Sequence, residues 1–214
     1  MKIPRESHEK LQSSYKEQKQ KIIERLAHFE SVGKLPREKL FEEFTFCIFT
    51  PQSKALACDA AVKRLCEKEL LNSGKEEEIA PHLCELGVRF HRNKARYLVK
   101  ARLEFDEHMQ AVEGAEDDFV ARNYLADNVL GFGHKEAGHF LRNIGRARRI
   151  AILDRHILKN LKLHGAIREI PKSLSRKKYF EIERKMQEFS QALGIDMQHV
   201  DLLFWSAETG GIFK

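Results

Sequence analysis

Cysteine is scarce in this chain and badly spaced for chemistry. Cys47, Cys58, Cys66 and Cys84 are the only four, and none forms a CxxC pair. Irregular gaps of this kind give no disulfide framework, structural zinc motif or iron–sulfur cluster. What remains is small thiols packed inside the fold. Long apolar runs are missing too. No stretch approaches the length that crosses a bilayer, and the opening MKIPRESHEKLQ lacks an apolar signal core. A soluble, cytoplasmic protein with no membrane partner is therefore expected. Strand-like alternation is rare, and no internal repeat or low-complexity tract stands out. Charge is abundant but only mildly one-sided: 38 Lys and Arg against 32 Asp and Glu, for a net +6. That balance favours an anionic partner without identifying one.

What is present is helical periodicity. Leu11, Tyr15, Ile22, Ile23, Leu26 and Phe29 recur at helical intervals and predict an amphipathic helix over 7–30. Pro36 suits the first turn of a buried helix over 36–49. Ser53 is placed to cap a helix over 54–71. A short helix over 75–86 follows, interrupted by Pro81, and a longer one over 91–112 with Ala95, Leu98, Val99 and Leu103 on one face. Beyond residue 154 the pattern predicts helices over 155–164, 176–193 capped by Ser175, and 197–208 capped by Asp196. The chain reads as all-α, with roughly ten short helices.

The informative stretch is 122–154, RNYLADNVLGFGHKEAGHFLRNIGRARRIAILD. A helix over 122–130 meets a tight turn at Leu130-Gly131-Phe132-Gly133-His134, where glycines permit a sharp reversal. A second helix restarts at Lys135 and stops before Gly145, a C′ glycine. Backbone N–H groups at such a turn and helix start can bind a phosphate without reading a base, and Arg142, Arg146, Arg148 and Arg149 add positive charge. An ordinary helical corner would look the same. Lys135, in the first turn of that helix, lies where the macrodipole disfavours an ammonium, which suits a nucleophilic amine; a solvated surface lysine is the plain alternative. Asp154 heads a helix and reads as its N-cap, and a capping carboxylate is also a fixed negative charge able to stabilise a cation.

Lys135 and Asp154 are nineteen residues apart, behind a glycine-flanked hairpin. This arrangement resembles the helix-hairpin-helix DNA glycosylase superfamily. More narrowly, GFGHKEAGHFLRNIG with AILDRHIL and the terminal WSAETGGIFK is similar to the compact archaeal-type (type-2) 8-oxoguanine DNA glycosylase/lyases, over nearly the whole chain. The resemblance implies an all-α, two-lobed fold with the active site in the cleft between lobes, here 31–154 and 1–30 plus 155–214. It implies a monomer acting on double-stranded DNA that contains 8-oxoguanine. Lys135 is the implied nucleophile at the sugar C1′ and Asp154 the stabiliser of positive charge. The lysine Schiff base then breaks down by β-elimination. No metal or cofactor is needed. Phe90 and Trp205 are the implied stacking partners of the flipped base, with Asp201 nearby. Lys214, at the chain end, is implied in telling 8-oxoguanine from guanine. Gln52 matches the position that fills the gap left by the base, and Gly131, Gly133 and His134 lie at the DNA backbone with the arginines. Two rivals stay open on the residues: a lyase for other oxidised bases or abasic sites, and a non-catalytic DNA-binding module.

Overall fold

The cluster of phenylalanines between residues 41 and 49 sets the first core. In the computed structural model, which describes residues 3–212, they lie on α2 (Arg37–Phe49), a helix buried over most of its circumference. A helix apolar on so many sides must be surrounded. Phe44 is its centre: the rings of Phe105, Phe132 and Phe140 stand 5.3, 4.8 and 5.0 Å away. Truncating such a side chain typically costs about 3–5 kcal/mol.

The described residues form eleven α-helices and no strand. They cluster into two compact units, Met1–Ser31 with Gly145–Lys214, and Val32–Ile144. Residues 145–154, read from the sequence as the tail of the central lobe, cluster with the terminal segments.

Within Val32–Ile144, the helix expected over 54–71 is broken. α3 (Ala55–Glu67) stops where Glu69 adopts a left-handed φ of 57°, and α4 (Leu70–Ser73) is a single turn. The Arg102 guanidinium donates to the carbonyls of Leu70, Leu71 and Gly74, satisfying groups that so short a helix leaves open. Ser53 does not cap α3, whose N-cap is Lys54. α5 (Glu76–Glu85) contains Pro81 and begins with the Lys75 N–H on the Glu78 carboxylate. α6 (His91–Gly114) buries Ala95, Leu98, Ala101, Phe105, Met109 and Val112. Leu103, expected on that face, is 83 % exposed. It is five residues past Leu98, off the stripe that three- and four-residue steps trace. α7 (Asp118–Asn128), capped by Asp117, and α8 (His134–Asn143) complete the unit.

The other unit packs α1 (Arg5–Val32), α9 (Arg155–Leu163), α10 (Arg176–Leu193) and α11 (Met197–Thr209) around Ile22, Phe29, Leu161, Met186, Phe189 and Phe204. Ser175 caps α10 through its hydroxyl, as its position predicts. Asp196 holds the N-cap position of α11 but makes no side-chain cap bond. No described helix is long and apolar enough to cross a membrane.

Candidate active-site elements

The hairpin is built on one glycine that nothing else can replace. Gly131 has a φ of 94°, and a Cβ there would sit 2.5 Å from the Tyr97 ring. Gly133 is different. Its φ of −116° suits any residue, so only the first glycine is dictated by backbone conformation. Between them Phe132 turns inward onto Phe44 and anchors the tip in the core.

α8 starts at His134, which puts Lys135 in its first turn. Gly133 has no side chain to cap the helix, and Glu136 reaches back instead: its Oε2 accepts the Gly133 N–H at 3.2 Å. The other oxygen of the same carboxylate lies 3.1 Å from Lys135 Nζ. The unfavourable helix end is thus offset by an ion pair, a neighbour that periodicity and spacing did not single out. His134 is half-buried beside it.

The arginines divide. Arg148 and Arg149 are exposed and Arg146 is half-buried, whereas Arg142 is 7 % exposed. Arg142 faces the interior of Val32–Ile144, close enough for its charge to be felt at the buried Cys47 thiol. That burial sets it apart from the three more accessible arginines of the same run. On a helix with so wide an apolar face, position 142 points in with Phe140 and Leu141.

Asp154 caps α9. Its Oδ1 accepts the N–H groups of His156 and Ile157, both at 2.8 Å, and among the described residues Oδ2 makes no hydrogen bond. One oxygen alone thus fixes the carboxylate at the head of α9. The preceding strand-like segment is buried and is served from α10. The Ala151 N–H donates to Glu183, the Tyr179 hydroxyl donates to the Ala151 carbonyl, and the Leu153 N–H reaches Tyr179. Tyr179 and Glu183, four residues apart on one helix face, therefore set the approach to Asp154. The sequence marked their helix only by its Ser175 cap.

Trp205, on α11, is half-buried, and its ring meets His156 edge-on at 5.3 Å. His156 Nδ1 lies 3.6 Å from Glu208, whose carboxylate also takes Lys159 Nζ at 2.9 Å. The hydrogen bond from Lys159, first of all, holds the Glu208 carboxyl below its usual range. Asp201, one turn before Trp205, is 4 % exposed. Lys214 lies outside the described residues.

Among the described residues Phe90 is the one exposed phenylalanine. It is 50 % exposed, has a left-handed φ of 58° at the head of α6, and carries the Arg89 guanidinium 5.6 Å from its ring centroid. Gln52 is likewise exposed and left-handed, with φ 55°. Among the described residues these two and Glu69 are the non-glycine positions with positive φ. Backbone strain at exposed, unpacked side chains is typical of functional loops.

Comparison with known proteins gives a consistent result. Residues 22–195 match a family described as 8-oxoguanine DNA glycosylase. The 8-oxoguanine DNA glycosylase/AP lyase of Fusobacterium nucleatum is 40 % identical over 213 residues, covering 95 % of this chain and 96 % of that one. The enzyme of the same description from Methanocaldococcus jannaschii is 38 % identical over 193 residues, 90 % and 91 % of the two chains. A crystal structure of the M. jannaschii 8-oxoguanine glycosylase/lyase with a 15mer DNA containing 8-oxoguanine superposes with a TM-score of 0.89 at 36 % identity, over 97 % of this chain and 99 % of that one.

Proposed function

Since the chain belongs to the 8-oxoguanine DNA glycosylase family, we propose that it removes 8-oxoguanine from double-stranded DNA and then cuts the strand at the vacated sugar. The observation that carries this is the pair of built helix starts: a lysine in the first turn behind a glycine hairpin, and an aspartate fixed by capping with one oxygen to spare. A DNA-binding module has use for the hairpin and the arginines but none for this lysine and this aspartate.

The base must first leave the stack, because its glycosidic bond cannot be attacked inside the duplex. Phe90 and Trp205 offer aromatic faces for it, and Gln52 supplies a polar side chain for the gap. Gly131, Gly133 and His134 meet the DNA backbone through N–H groups and the helix end, with Arg146, Arg148 and Arg149 as the cationic contacts. Lys135 Nζ attacks C1′ and displaces the base. Its proton has an acceptor at hand in Glu136, 3.1 Å away. Asp154 stabilises the positive charge that builds on the sugar. The resulting Schiff base acidifies the C2′ proton, whose removal expels the 3′ phosphate and nicks the strand. Lys214 is assigned a part in telling the two bases apart: 8-oxoguanine carries an N7–H that a main-chain carbonyl can accept, and guanine would leave that acceptor unpaired. The proposed setting is the cytoplasm, with the enzyme acting as a monomer.

Borohydride trapping on a duplex with one 8-oxoguanine tests the reading. A covalent protein–DNA adduct is expected, and Lys135→Gln should abolish it. An adduct of undiminished yield in that variant would remove Lys135 from the mechanism.

A further inference from the structure

Lys94 takes no part in the chemistry above, yet it is 2 % exposed. It lies one turn into α6 and commits all three ammonium donors: to the Phe49 carbonyl at 2.7 Å, the Pro51 carbonyl at 2.8 Å and Ser53 Oγ at 2.9 Å. These three acceptors are neutral, so Lys94 is a buried charge held by hydrogen bonds to uncharged groups, a costly way to fill a core. Burial, first of all, pulls Lys94 down to about 8. At neutral pH it remains an ammonium and keeps its third donor.

The acceptors are grouped around one residue. Phe49, Pro51 and Ser53 bracket Gln52, which is held left-handed. Ser53 Oγ also accepts the Arg89 N–H at 2.9 Å, next to the left-handed Phe90. One lysine and one hydroxyl therefore join two turns far apart in sequence, and each turn presents an exposed side chain on strained backbone. Such backbone persists only where its surroundings over-determine it. An apolar residue at position 94 would pack without the desolvation cost but could not specify where these carbonyls sit.

We propose that Lys94 is a positioning residue which, through Ser53, holds the Gln52 turn and the Phe90 turn in one register, so that gap filling and base stacking are preset together. This rests on the roles given to Gln52 and Phe90 in the proposed function.

The test compares two substrates under single-turnover conditions: a duplex with 8-oxoguanine, and the same duplex with a preformed abasic site, which has no base to stack. Ser53→Ala cuts the bridge with a minimal change. It is expected to slow base excision by about tenfold while strand cutting at the abasic site changes by less than about twofold. Lys94→Met should widen that gap, and where it fails to fold, Ser53→Ala decides. Phe90→Ala is the control for the underlying reading. If it slows excision selectively while Ser53→Ala slows neither step or both alike, the positioning role is wrong and the reading of Phe90 stands. If Phe90→Ala leaves excision unchanged, the reading of Phe90 fails and takes this proposal with it. Restoration of selective excision by Ser53→Thr, which keeps the hydroxyl, supports a hydrogen-bonded register over a packing effect.

Discussion

Two helix starts carry the residues assigned to chemistry, and they are built differently. At α8 the helix begins on a glycine, and the stabilising carboxylate comes from inside the helix, where Glu136 reaches back to the Gly133 N–H and also meets Lys135. At α9 the functional residue is itself the cap, with Asp154 Oδ1 on two N–H groups. The first arrangement is local, contained in residues 131–136. The second depends on distant groups, because the segment entering Asp154 is held by Tyr179 and Glu183 of α10. A local device can be recognised as a motif. A distributed one cannot, although both orient one side chain.

The sharpest way to separate the two is at Asp154. Asparagine caps a helix about as well as aspartate, so Asp154→Asn should keep α9 and lose only the charge. Base excision is expected to fall by roughly 10²–10³-fold, the scale of removing one preorganised electrostatic contact, with thermal unfolding almost unchanged. Asp154→Ala should add a stability loss of about 1 kcal/mol. If Asp154→Asn unfolds as early as Asp154→Ala, capping does not separate from charge and the contrast fails.

A smaller effect compares the supports. Gly131→Ala forces a side chain into left-handed backbone and onto Tyr97, while Glu183→Ala strips the Ala151 N–H of its acceptor. An unsatisfied buried donor costs about 1–3 kcal/mol, and a residue with a forbidden φ costs a similar amount. Urea unfolding should show comparable losses for the two. Glu183→Gln, which keeps an oxygen acceptor, should recover most of one of them; if it is as unstable as Glu183→Ala, the hydrogen bond is not what holds that segment.

The smallest effect is shared by both units. His108 stacks on Phe44 in one, and His164 stacks on Phe204 in the other. Burial, first of all, holds both imidazoles below their ordinary value of 6.5. The unfolded chain then takes up those protons first as pH falls. Stability is therefore intact above 6.5 and declines as pH drops through the lowered values. Melting at about pH 5 should come a few degrees below that at about pH 7.5. A flat profile over that window would mean the two rings are not buried neutral.

How much could be read in advance follows the range of each interaction. The helices, the hairpin at Gly131, the stop at Gly145 and the cap at Asp154 depend on neighbours within a few residues, and composition with periodicity was enough to find them. The expectation went wrong where a distant group intervened. Ser53 looked like a cap, but Lys94 and the Arg89 N–H claim its hydroxyl from across the unit. Arg142 looked like part of a basic run, but its turn of α8 faces inward. Leu103 looked like core and is exposed, because five residues past Leu98 it falls off the packed stripe of α6. Phe90 and Trp205 were named by resemblance, since a phenylalanine in a turn and a tryptophan on an apolar helix carry no local mark of function.

Local sequence thus determined that this chain is helical, where its chemistry-bearing helices begin, and that a lysine and an aspartate stand at those beginnings. Helix starts and turns are decided by hydrogen bonds and backbone sterics over three or four residues. Tertiary structure alone decided which charges face inward and how a buried lysine ties the Gln52 turn to the Phe90 turn. Those outcomes depend on side chains forty or more residues apart sharing one desolvated space, and no spacing along the chain records that.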